Sequence, residues 1–94
     1  MPNPQTDIDC PKGEWKEVAT NVIGGQIIPH DTGADYYATY RVQPVVTPPN
    51  AIDNPPETEG QRFSGPTPIY TKEGEIHTIY VFCKRNAGTV EMNV

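Results

Sequence analysis

Ninety-four residues allow one small domain, and with 35% hydrophobic residues and a mean hydropathy of -0.59 its core is modest. Twelve acidic against seven basic residues give a net charge of -5, with Lys84-Arg85 the only adjacent basic pair. That balance excludes the basic footprint needed to neutralise nucleic-acid phosphate and disfavours an anionic membrane surface.

The opening stretch MPNPQTDIDC has no basic region and no apolar run, so it reads neither as a signal peptide nor as a span. A chain made in a cytoplasm is expected. Residues 1–14 read as a flexible N-terminal arm and 15–94 as a single β domain. Cys10 and Cys83 fit no zinc-like spacing; with no export signal read in the sequence, buried free thiols are favoured over a disulfide, although a bridge stays open.

From Trp15 to Val22 the alternation of Val18, Thr20 and Val22 predicts a strand. Gly24-Gly25 offers a turn, and Gln26-Ile27-Ile28 a short strand ended by Pro29. The stretch from His30 to Ala34 has turn composition. Asp35 to Val42 is rich in tyrosine and β-branched residues and is the best strand of the first half. Pro44 to Gly60 holds five prolines and reads as a long irregular loop. Short strands are expected near Arg62-Phe63 and Ile69-Tyr70, then a turn at Lys72-Glu73-Gly74.

The chain ends IYVFCKRNAGTVEMNV, which reads as a strand, a turn and a strand. A four-residue loop from Arg85 to Gly88 would pair Cys83 with Val90, Val81 with Met92 and Ile79 with Val94. A three-residue loop would shift the register by one, and the sequence does not decide between them. In the four-residue register Ile79, Val81, Cys83, Val90, Met92 and Val94 form the core face. Ile76, Tyr80 and Phe82 then lie on a second apolar face. It is either a contact surface for another subunit or a face covered by the arm or the Pro-rich loop; both readings stand. The repeated short strands and the lack of helical periodicity predict an all-β fold, a small antiparallel sandwich or barrel.

The search for chemistry yields little. His30, Asp31 and Asp35 fit no metal-ligand pattern, and hydrogen-bonding loop acids explain them. His77 is expected at a solvated strand edge. Cys83, His77 and Asp31 fail as a triad, because Cys83 and His77 stand about 20 Å apart along one strand. Glu57/Glu59 and Glu73/Glu75 lie in loops of a domain too small to wall a deep cleft. No catalytic residue, cofactor or metal is expected. Tyr36, Tyr37, Tyr40, Tyr70 and Tyr80 could form an aromatic platform for sugars.

The order of features carries a resemblance: EWKEVATNV, then GGQIIP, then YYATYRV, a Pro-rich stretch closing on Glu59-Gly60, and the final IYVFCKRNAGTVEMNV. Over residues 15–94 this resembles the small all-β virion structural proteins of tailed bacteriophages, which include head-decoration (cement) and neck or tail accessory proteins. The Pro-rich insertion at 44–58 departs from the more compact versions. The resemblance implies a non-enzymatic subunit that binds capsid or other virion proteins on a repeating lattice, located in the virion. Expected contact residues are Tyr80, Phe82 and Ile76, with Pro48, Pro49, Pro55 and Pro56 of the loop. A receptor- or carbohydrate-binding module on a virion is the alternative.

Overall fold

Proline and glycine punctuate this chain at intervals too short for long helices, and the segments between them carry β-branched and aromatic residues; the result, among the described residues, is eight strands. The computed structural model describes residues 5–31, 33–70 and 75–93. In order these are β1 (Gln5–Cys10), β2 (Trp15–Val22), β3 (Gly24–Pro29), β4 (Tyr36–Val42), the one-turn helix α1 (Pro56–Glu59), β5 (Gln61–Phe63), β6 (Thr67–Tyr70), β7 (His77–Cys83) and β8 (Gly88–Asn93). They form two four-stranded antiparallel sheets, ordered β1-β8-β3-β6 and β2-β7-β4-β5, packed as a sandwich. The expected all-β sandwich is therefore present.

The chain changes sheet at every connection except the one from β4 to β5. This corrects the expected C-terminal hairpin. Strands β7 and β8 are consecutive but do not pair, so neither the three- nor the four-residue register applies. β7 lies between β2 and β4, and β8 lies between β1 and β3. With both neighbours of β7 already taken, β8 can only meet it face to face. The core set is nonetheless the expected one: Ile79, Val81, Cys83, Val90 and Met92 are all fully buried between the sheets. Val94 lies outside the described residues, as does the turn expected at Lys72-Glu73-Gly74.

Three further expectations change. Residues Gln5–Cys10, taken as part of an arm, are an edge strand paired with β8, and Cys10 and Ile8 join the core cluster. Their alternation of polar and apolar groups was too short to stand out beside the prolines. Gly24 and Gly25 belong to β3 rather than to a turn. The chain turns just before them, where Asn21 takes a left-handed conformation (φ 57°) and its N–H donates to Gln43 Oε1 at 2.9 Å. The β2 ladder is irregular either side of Ala19, so Val18 and Val22 are buried while Thr20 is exposed and bonds Thr78 across the strands at 3.0 Å.

One polar knot ties the sheets together. Tyr36, on β4, donates its hydroxyl to the Thr89 carbonyl on β8 at 2.7 Å. The same hydroxyl accepts the Asp31 N–H at 3.2 Å, and the Asp31 carboxylate accepts the Thr89 N–H at 2.8 Å. Burial raises the Tyr36 phenol above its ordinary range, so it stays a donor at neutral pH.

Candidate functional site

The outer face of the β2-β7-β4-β5 sheet is where the expected contact residues Tyr80 and Phe82 project. Trp15 stands opposite Phe82 on β2, and Tyr37 stands opposite it on β4; Thr39 stands opposite Tyr80. Directly opposed residues share a face, so an aromatic cluster forms, with Trp15 and Phe82 edge to face at 5.2 Å between centroids. This cluster is not a free surface: Tyr80 and Phe82 are each only 6% exposed.

The Pro-rich segment covers it. Trp15 Nε1 donates to the Asn54 carbonyl at 2.9 Å. Glu59 accepts from Thr39 Oγ1 at 3.1 Å, from Arg41 Nη2 at 2.6 Å and from Asn54 Nδ2 at 3.0 Å. Arg41 also donates from Nε to the Thr47 carbonyl at 3.2 Å. Pro55-Pro56 starts α1, where a missing N–H costs nothing, and Pro56 is buried. Gly60 is required at the close of the segment, because a Cβ there would fall 2.8 Å from the Trp15 ring and 3.0 Å from the Ala38 carbonyl oxygen.

The expected contact set thus divides. Tyr80, Phe82, Pro49 and Pro56 are buried within the protein, whereas Pro48, Pro55 and Ile76 are exposed. The tyrosine platform does not form either: Tyr36, Tyr37 and Tyr80 are buried, Tyr40 is half-exposed, and the Tyr70 side chain lies outside the description.

Exposed aliphatics gather elsewhere. At the end of the sandwich where β2, β4 and β7 meet, Val22 and Val42 both stand opposite His77. Ile23, Val42 and Ile76 are adjacent to these positions or among them, and they are 75%, 44% and 50% exposed. The Gln43 N–H donates to the Ile76 carbonyl at 2.8 Å, and Asn21, Val42, Gln43, Pro44, Glu75 and Ile76 line a shallow cleft of about 450 Å³. The Pro-rich segment adds Val46 and Ile52, each 89% exposed. Sequence reasoning had no signal for Ile23, Val46 or Ile52, since single aliphatics beside prolines show no period.

Beneath this end lies His77. It is fully buried, against the expectation of a solvated edge, because β2 and β4 flank it and the Tyr40 ring packs on it edge to face at 5.0 Å. Among the described residues neither ring nitrogen has a hydrogen-bond partner, and the Glu75 carboxylate at 3.9 Å is too distant for one.

The loop acids are engaged structurally. Asp31 holds Thr89; Asp35, itself left-handed (φ 58°), binds Arg62 at 2.7 Å; His30 lies 3.6 Å from Glu91. Among the described residues no three His, Cys, Asp or Glu side chains converge as a metal site would require. Glu57 pairs with Lys84 at 2.6 Å on the surface, and Glu59 is spent on the loop anchor. Glu73 lies outside the described residues. Cys83 and His77 close opposite ends of β7. In comparison with known proteins, no family model, no curated protein and no solved structure matches the chain.

Proposed function

We propose that this chain is a non-enzymatic structural subunit that docks onto a repeating protein lattice, as the head-decoration proteins of tailed bacteriophages do. The supporting observation is the set of exposed aliphatics on a rigid β frame. Ile23, Val42 and Ile76 at one end, and Val46 and Ile52 on the Pro-rich segment, offer apolar contacts that this small core does not use. The segment is bolted to the sheet through Trp15, Thr39 and Arg41, so it arrives at a partner already ordered and loses little entropy on docking. The net charge of -5 keeps the free protein dispersed before assembly.

The test is co-sedimentation of the purified protein with phage heads assembled without it. Stoichiometric binding is expected, with at least a tenfold loss of affinity for the double variant Ile23→Asp/Ile76→Asp, whose thermal transition should be near that of the parent because both side chains are exposed. Absence of binding to heads, together with binding to a glycan array, would replace this reading by the carbohydrate-binding one. Trimming the first fourteen residues is not a usable probe of an arm, since β1 is part of the fold.

A further inference from the structure

Cys10 and Cys83 are distant in sequence and adjacent in the core. Cys10 closes β1, opposite Gly88 on β8, with its side chain on the inner face shared with Val90 and Met92. Just beyond it the chain folds back onto β7. Lys12 forms a parallel bridge with Cys83, and the Gly13 N–H donates to the Cys83 carbonyl at 2.9 Å. Gly13 is left-handed there (φ 82°), which lets the chain reverse without strain. Both cysteines are free and belong to one buried core cluster, with exposures of 1% and 0%, and the Cys10 thiol donates to the Ile8 carbonyl at 3.7 Å.

We propose that Cys10 and Cys83 are a cross-linking site, closing into an intramolecular disulfide that ties edge strand β1 to central strand β7 when the protein meets a low-molecular-weight disulfide. The exchange balances: one thiolate attacks the reagent disulfide and releases one thiol, the second cysteine attacks the mixed disulfide and releases another. Two S–H bonds are lost, one S–S bond forms between Cys10 and Cys83, and the reagent's S–S bond is reduced to two thiols.

The two thiols lie close enough to perturb each other: the neighbouring Cys10 lowers the Cys83 pKa, and Cys83 together with burial raises that of Cys10. Access is through a cleft of about 570 Å³ lined by Asp9, Cys10, Glu14, Lys16, Asp31 and Thr89. Three of those residues are acidic, so an uncharged reagent suits it better than an anionic one. The site lies at the opposite end of β7 from Ile76, so it stands independently of the docking surface.

The experiment treats the protein with hydroxyethyl disulfide, both folded and during refolding, so that slow entry to the core is not taken for lack of reaction. The intact mass should fall by about 2 Da, and digestion should give one linked pair of peptides carrying residues 10 and 83. The melting temperature should rise by several degrees, because the closed loop spans most of the chain, and dithiothreitol should reverse both changes. Cys10→Ser should show neither. Persisting free thiols in both formats, stable reagent adducts without a cross-link, or disulfide-linked dimers would each overturn the proposal.

Discussion

Gly88 shows how much one residue can carry in a small sandwich. It begins β8 opposite Cys10 and lies under the Tyr36 hydroxyl that joins the two sheets. A Cβ at this position would fall 2.5 Å from that hydroxyl and 2.9 Å from the Ala34 Cβ. Neither neighbour can yield easily, since Ala34 is fully buried and Tyr36 is held by Thr89 and by its stack on Phe63 at 5.4 Å. Gly88→Ala should therefore cost about 2 kcal/mol, in the range of overpacking, and urea denaturation would measure it. A cost near zero would mean that the Tyr36 anchor moves freely.

At the scale of elements, the decisive relation is between β7 and the Pro-rich segment. β7 is apolar on both faces because each face is covered: one by the opposite sheet, the other by residues anchored through Trp15 and Glu59. The Arg41 guanidinium, ahead of the opposing effect of burial, holds the Glu59 carboxyl below the usual carboxylate range. A carboxyl with a depressed folded-state pKa contributes stability that is present above its unfolded value and is lost as pH falls through the folded one. The cover should thus loosen below about pH 4. Glu59→Gln should lose roughly 1–2 kcal/mol at pH 7 and flatten the acid limb of the stability profile. Trp15 fluorescence, followed through denaturant titrations from pH 3 to 7, checks both. An unchanged acid limb in the variant would assign the acid sensitivity to other carboxylates.

For the whole molecule, alternation between sheets sets the behaviour. Consecutive strands meet across the core rather than side by side at every connection but one, so the fold depends on pairings between distant segments. Folding in milliseconds to seconds is consistent with such a topology. The N-terminal strand illustrates the dependence. Deleting residues 1–10 would remove Cys10 and Ile8 from the core and leave one edge of β8 unpaired. A loss of about 3 kcal/mol or more is expected, with a lower melting temperature by calorimetry. A truncated protein as stable as the parent would restore the view of this stretch as a dispensable arm.

Much of this was legible in the residues. The strand at Trp15–Val22, the tyrosine-rich strand, the two short strands after the proline run and the identity of the buried aliphatics all follow from alternation and β propensity, which are local properties. The double apolar face of β7 left open whether its second face meets another subunit or is covered by this chain's own arm or Pro-rich loop. The sequence did not say what covered it, because a polar loop is recruited by single contacts such as Trp15 to Asn54 that have no period. Partner choice was beyond local pattern as well. A turn of suitable length predicts a hairpin, but with β2 and β4 holding both edges of β7, β8 joins the other sheet. Only the tertiary structure could bury His77, make β1 a strand, and bring Cys10 and Cys83 together. Each depends on segments far apart in the chain, whose contacts form only when both sheets close on one core.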